Sequence, residues 1–439
     1  MNRIGKALTA GIAAAVALGM TGCGGPDTSG SAASSASATT DFSGVEPAKE
    51  ISFWGNHPGN SIKFETEMAK KFQEKTGIKV NIVSAGSNYD EVAQKFQTAQ
   101  VGGSAGDLVV VSDATWFGTY LNGSVAPVDD IFKAAKLSTA TYNQSLLDDY
   151  KYENAHYAVP YARSLLVYMY DKDAFKKAGL PQTAPTTWEQ VAEYSKKLKA
   201  ANAKQIPFTW ASDSSYVSWG VTSLLWANGG DWSTRWDFSP MTSDKTVSAL
   251  TFAQNSVKDG WAQVINGDPS TVFGSGAIAQ MINSSGGISG IKGAAKFNVG
   301  VGVLPTGSAG DKDVVPSGGA GVAINAKTTP AKKLAAAMFA DYLTNAENTV
   351  AFSKVTGYVP VRTDADTKSL TAGNPDFQPV IDSLQRLRPQ SYARVLVPGG
   401  ANTLDSSLMK ILVNKADVKE TMTAARTKIT SDYEQNVKK

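Results

Sequence analysis

The residues with the clearest potential for covalent chemistry are Gly102-Gly103-Ser104-Ala105-Gly106, which fit the G-x-S-x-G pattern of a nucleophile elbow. That pattern works when a strand precedes it and a helix follows. Here a helical stretch precedes it and the apolar run 108–111 follows, so the context is reversed. The chain has two histidines, His57 and His156, and one cysteine, Cys23. This leaves few partners for a Ser-His arrangement and rules out cysteine metal centres. Carboxylates alone can hydrolyse glycosides, but 39 Asp and Glu residues single out no pair. A lipid-anchored hydrolase is therefore the weakest reading, and no cofactor or metal is implied.

Non-covalent recognition is better represented. Six of the nine tryptophans (Trp210, Trp219, Trp226, Trp232, Trp236 and Trp261) fall between residues 210 and 261. Flat aromatic faces stack on sugars and on cationic head groups, although any single tryptophan is more readily a core residue. Trp219 and Trp232 flank a polar, glycine-containing stretch and are the preferred exceptions. Tyr89 opens an amphipathic helix after Gly86-Ser87-Asn88. Asp113 follows a buried strand, at the end where open α/β sheets place ligands, or else caps the next short helix. A carboxylate there would bind ligand hydroxyls, as would Tyr358. Ser285-Gly286-Gly287 opens a helix whose N–H groups suit a phosphate ester, and Arg394 offers a bidentate contact. The bland alternative is that Ser285 only caps that helix and Arg394 is a surface residue.

Such residues need a scaffold. The 439 residues are 42% hydrophobic and 9% aromatic, ordinary globular values and enough for two compact lobes. From about residue 50, short apolar runs alternate with amphipathic segments, as in an α/β fold with mainly parallel strands. Strands are expected at 51–54, 78–82, 108–111, 165–170, 278–282, 298–304 and 318–324. Helices are expected at 62–75, 88–100, 172–178, 187–202 and 330–343, with another opening at 285–287. Lys and Arg total 42 against 39 acids, and removing Arg3 and Lys6 with a leader leaves 40 against 39, a net charge of +1. No basic field suited to nucleic acid remains.

The first 22 residues read as a secretory leader: Arg3 and Lys6, then an apolar run at 7–20 too short to span a bilayer comfortably. Met20-Thr21-Gly22 precedes Cys23 as a lipobox precedes its acylated cysteine. Residues 24–49 begin "GGPDTSGSAASSASATTDFSG", which cannot bury a core and forms a flexible tether. The expected location is the extracytoplasmic face of the cell membrane, held by the lipid on Cys23.

Five segments in order resemble the family-1 extracellular solute-binding proteins of bacterial ABC importers. They are "GDLVVVSDATWFGTYLNGSVAPVDD" from Gly106, "VPYARSLLVYMYDKDAFKKAGLPQTAPTTWEQVAEYSKKLKA" from Val159, "SSGGISGIKGAAKFNVGVGVLP" from Ser284, "GGAGVAI" from Gly318 and "TGYVPVR" from Thr356. The resemblance implies a two-lobed α/β fold of the type II periplasmic-binding kind, with ligand in the cleft between lobes. Lobe 1 is expected at 50–160 plus 317–357, lobe 2 at 161–316 plus 358–439, and a hinge at 159–162, 316–317 and 358–361. It implies a non-enzymatic monomer that hands a small molecule to ABC permease subunits in the membrane. The second half, including "SYARVLVPGGANTL" from Ser391, is most similar to members that bind glycerol phosphate and glycerophosphodiesters; a sugar is the alternative ligand. Carried over by position, the implied binding residues are Tyr89, Asp113, Ser164, Ser285, Gly319, Tyr358 and Arg394. Ala162 and Arg163 depart from the small polar residues usual there, as does the Trp-rich region after residue 210.

Overall fold

Apolar and amphipathic segments alternate as β1 (Glu50–Gly55), α1 (Ser61–Thr76), β2 (Lys79–Ser84), α2 (Tyr89–Gly102) and β3 (Leu108–Ser112). Phe64, Met68 and Phe72 recur at helical spacing and form the buried stripe of α1, which Gly77 ends in the left-handed conformation. Asn88 caps α2 by accepting from the Glu91 N–H at 2.9 Å. β3 is buried along its whole length, as a strand covered on both faces must be. This computed structural model describes residues 40–211, 216–266, 269–310 and 314–438. The leader, Cys23 and most of the tether lie outside the described residues.

The chain continues through β4 (Val159–Asp171), α3 (Trp188–Ala201), β5 (Thr209–Ala211), α4 (Tyr216–Ala227), α5 (Asp244–Lys258), β6 (Gln263–Ile265), β7 (Gln280–Ser284), β8 (Val299–Gly302) and β9 (Val315–Ile324). Helices α6 (Pro330–Thr344), α7 (Ala346–Thr356), α8 (Gly400–Leu412) and α9 (Val418–Asn436) follow. Thr187 starts α3 by accepting from Gln190 N–H, while the Gln190 side chain accepts from Thr186 N–H, so both halves of a capping box form. The turn at 285–287 is a single 3₁₀ turn leading into a helix of seven residues, Ile288–Ala294, shorter than its composition suggests.

The strands join in the order β2-β1-β3-β9-β4-β7-β5-β6, with β8 also paired to β4. β1 is parallel to β2 and β3, and β5 is parallel to β6 and β7, but β9 and β4 run antiparallel to each other and to their outer neighbours. The sheet is therefore mixed, which corrects the expectation of mainly parallel strands. Two wings are each wound in parallel, and the two long strands between them must run across. β4, at 13 residues, pairs through 159–165 with β9 and through 166–171 with β7 and β8. A third crossing is tied on when Val359 N–H donates to the Arg163 carbonyl at 2.8 Å. Residues 160–161 and 316–317, where the lobe division is expected, lie in β4 and β9.

The side chains of Arg163 and Asp149, 0% and 6% exposed, form an ion pair under this crossing. The guanidinium also donates to the Tyr150 hydroxyl at 2.7 Å, and Ser317 Oγ donates to the Asp149 carboxylate at 2.6 Å. Burial raises the Asp149 pKa, an effect opposed by Arg163. Removing either partner would strand a buried charge. Among the described residues no helix is long and apolar enough to cross a membrane.

Candidate ligand-binding cleft

A cavity of about 340 Å³ opens where β3, β4 and β9 meet the start of α2 and α4. Its position at the C-terminal end of β3 follows the rule that open α/β sheets bind ligands beyond strand ends where the connection reverses. Seven of the nine expected residues line it: Tyr89, Asp113, Ser164, Trp219, Gly319, Tyr358 and Arg394. They come from seven separate stretches of chain, so only the fold assembles them.

A bulge in β9 builds the floor. The register with β4 slips between Gly319 and Gly321, and Gly319 has φ +85°, a conformation side chains avoid. A Cβ there would also meet the Ala162 carbonyl oxygen at 2.2 Å. The Gly319 carbonyl accepts from Asp113 N–H at 3.2 Å, which aims the end of β3 into the cavity. The Trp219 indole lies against Gly318, where a Cβ would stand 2.3 Å from the ring, and its N–H donates to the Ser317 carbonyl at 2.9 Å. Tyr216 packs edge-on against Trp219, with ring centroids 5.3 Å apart at 89°.

Arg394, from the short helix Tyr392–Val395, is only 3% exposed. It donates to Asp113 Oδ2 at 3.0 Å, to Ser218 Oγ at 3.2 Å and to the Gln390 side-chain oxygen. Gln390 also donates to Asp113. Asp113 is thus a partner in an ion pair across the cavity and does not cap the next helix, where Thr115 precedes Trp116. Among the described residues the charged lining residues are Asp90, Asp113 and Arg394, one cation against two anions.

On the opposite wall Tyr358 stacks on Phe352 at 5.5 Å and 12°, and Phe352 stacks on Tyr161 at 4.8 Å and 21°. The Tyr161 hydroxyl donates to Glu65 at 2.6 Å, and Glu65 pairs with His57 at 2.6 Å. Burial raises the Tyr89 pKa well above its usual value, and its interactions with Tyr358 add to this. Burial also raises Tyr358, with its interaction with Tyr89 opposing.

The fold does not bring Trp232 or Ser285 to this cavity. Trp232 is fully buried and its indole N–H donates to Thr222 Oγ1 at 2.7 Å, a satisfied core position. Ser285 is also fully buried, its hydroxyl accepting from Leu165 N–H at 3.4 Å. The Gly286 N–H is taken by Ser284 Oγ at 3.2 Å, so this turn does not offer the cavity an open anion hole. Ser284 lines the wall in its place. Sequence reasoning missed Ser284, Tyr216, Asn88 and Gln390. Tyr216 stands three residues before Trp219 on α4, a spacing that shares a helix face, whereas Gln390 precedes the short helix of Arg394 and carries no such signal. Ser104 lies on an exposed turn after α2, while His57 and His156 engage Glu65 and the pair Asp129 and Asp148.

The description Bacterial extracellular solute-binding protein matches residues 67–379. The chain belongs to this family. The crystal structure of UgpB from Mycobacterium tuberculosis in complex with glycerophosphocholine is 36% identical, with a TM-score of 0.84, over 89% of this chain and 100% of that one. The sn-glycerol-3-phosphate-binding periplasmic protein UgpB of Pectobacterium atrosepticum is 28% identical over 338 residues, 73% of this chain and 75% of its own length. An ABC substrate-binding protein of Listeria monocytogenes in complex with cycloalternan shares the fold at 22% identity and a TM-score of 0.74. The solute-binding protein described here therefore has the two-lobed α/β architecture of these relatives, with its cavity among the crossing strands.

Proposed function

We propose that this protein captures a glycerophosphodiester outside the cytoplasm and delivers it to the membrane subunits of an ABC importer. The observation that carries the choice of ligand is the pairing of Arg394 with Asp113 at 3.0 Å. Arg394, the one cation on the lining among the described residues, is already paired, and Asp90 adds a second carboxylate. A phosphate monoester carries about 1.5 to 2 negative charges at neutral pH and would meet a net negative lining. A diester carries one, and a cationic head group makes the whole ligand neutral. Trp219 and Tyr216 offer aromatic surface for that head group, and the 36% identity to a protein solved with glycerophosphocholine supports the same class. Arg394 and Ser284 are suited to hold the phosphodiester.

In this reading the chain acts without catalysis, as a monomer anchored through Cys23 and the tether at 24–49. Lobes divided near 160, 316 and 357 close over the ligand, joining half-sites that neither completes alone. Titration calorimetry tests the ligand. Heat and saturation are expected with glycerophosphocholine, with at least about fivefold weaker binding of glycerol 3-phosphate, since one unfavourable charge contact costs about 1 kcal/mol or more. Tight binding of a neutral oligosaccharide, with no heat from either phosphate ester, would overturn the reading in favour of a sugar receptor.

A further inference from the structure

The loop between α4 and α5 carries two buried polar residues, Asp231 and Ser233, 9% and 4% exposed. One Asp231 carboxylate oxygen accepts from the Arg388 guanidinium at 2.5 Å, and Arg388 also lies over the Trp226 ring, 4.5 Å from its centroid. The second oxygen accepts from the Ser391 hydroxyl and from Trp232 N–H, the latter at 2.7 Å. Ser233 Oγ accepts from Ala393 N–H at 3.0 Å. The loop is itself fastened to the first turn of α5. Asp231 N–H donates to Thr246 Oγ1 at 3.0 Å, and the same hydroxyl donates back to the Asp231 carbonyl at 3.2 Å. Gly230 passes so close that a Cβ there would stand 2.8 Å from that hydroxyl.

Residues 388, 391 and 393 are thus gripped by the loop, while Gln390 and Arg394, between and beside them, both reach Asp113. We infer that Asp231 and Ser233 are positioning residues, which deliver the Arg394 guanidinium to the cavity by holding the backbone that carries it. Pairing of Leu387–Arg388 with Val315–Pro316 of β9, and the Gln390 bond to the Ser317 carbonyl, fix the start of this segment. The turn Tyr392–Val395 that carries Arg394 lies beyond them, and there the loop holds Ser391 and Ala393. The Asp231 carboxylate is suited to this, since its bonds to a guanidinium and a hydroxyl are charge-assisted. A guanidinium held in place before the ligand arrives loses less freedom on binding.

Only the choice of ligand probe rests on the diester reading above. By calorimetry, Asp231→Ala should weaken glycerophosphocholine binding about threefold to tenfold, the scale of ordering one long side chain. Asp231→Asn keeps an acceptor for Ser391 and should lose less. Ser233→Ala should weaken binding about threefold, and Ser233→Thr, which keeps the hydroxyl, should restore it. A purely structural role would lower stability and leave the affinity of the folded protein unchanged. A second measurement needs no ligand. Denaturant unfolding of the parent, Asp231→Ala, Arg394→Ala and the double variant forms a cycle, and Ser233→Ala, the milder change, is run in the same way. Arg394→Ala should lower the folding constant at least about threefold less in either loop variant than in the parent, because a loosened turn no longer presents Arg394 to Asp113; independent sites agree within about twofold. Additive losses in both cycles overturn the inference, as does glycerophosphocholine affinity within about twofold of the parent in both loop variants. A coupled cycle in a protein that does not bind glycerophosphocholine upholds it and refutes only the ligand assignment.

Discussion

Arg394→Ala separates an anion-binding cleft from a merely polar one. The guanidinium is 3% exposed and donates to Asp113, Ser218 and Gln390. Truncation strands the Asp113 carboxylate, itself only 13% exposed, with Gln390 as its remaining side-chain partner. Breaking a buried pair from one side costs about 3 to 5 kcal/mol of stability. Asp113 borders a cavity that water enters, so about 2 to 3 kcal/mol is the better expectation here. Ligand affinity should fall further, because the phosphate loses its only cation and meets two carboxylates: about 2 to 5 kcal/mol, or roughly 30-fold to several thousand-fold. Arg394→Lys should recover part of each loss, since an ammonium keeps the charge but not the planar fork. Adding Asp113→Asn to Arg394→Ala should restore much of the stability while leaving phosphate affinity low, a coupling that a double-mutant cycle isolates. Denaturant unfolding and calorimetry on the parent, the three single variants Arg394→Ala, Arg394→Lys and Asp113→Asn, and the double variant read both quantities. Binding of glycerophosphocholine by a folded Arg394→Ala protein within about twofold of the parent would refute the reasoning, since even one charged hydrogen bond is worth about 1.5 kcal/mol or more.

The two tryptophans singled out by sequence should behave oppositely. Trp219→Ala is expected to weaken ligand binding about tenfold or more, whereas Trp232→Phe, which removes the indole donor to Thr222 in the core and leaves that hydroxyl its bond to the Ser218 carbonyl, should cost about 1 kcal/mol of stability and leave affinity unchanged by calorimetry. His156 has both ring nitrogens on carboxylates, Asp129 at 2.9 Å and Asp148 at 3.0 Å, and the hydrogen bond to Asp129 raises its pKa above 6.5, with partial burial opposing. A raised pKa stabilises the fold fully below the unfolded value of about 6.5 and loses that contribution as pH rises through the folded value. Thermal unfolding of His156→Gln should therefore lack the loss of stability that the parent shows between mildly acidic and alkaline pH. Cys23→Ala should move the exported protein from the membrane fraction to the soluble one; unchanged retention in detergent-extracted membranes would remove the lipid anchor. Small-angle scattering should show a more compact particle with saturating glycerophosphocholine, and identical profiles would argue for a rigid receptor.

Much of the architecture is local and so could be read from residue order alone. The stripe Phe64, Met68 and Phe72, the caps Asn88 and Thr187, and the continuous apolar run of β3 each specify an element through neighbours a few residues away. Asp113 could be placed at a strand end because strand ends follow from the apolar run that precedes them. Tertiary structure decided which of these positions share one cavity. β9 reverses against β3 and β4, and the Gly319 bulge re-aims its backbone, so that Asp113, Ser164, Tyr358 and Arg394 converge across as many as 281 residues of sequence separation. No periodicity records that convergence, since it depends on strand order and register. The same limit separates Trp219 from Trp232: both belong to one aromatic run, but a backbone carbonyl of β9 draws the first to the cavity wall and the Thr222 hydroxyl holds the second in the core. Ser285 and Ser284 differ by one residue, and one residue in the backbone is enough to turn a side chain from the cavity into the interior.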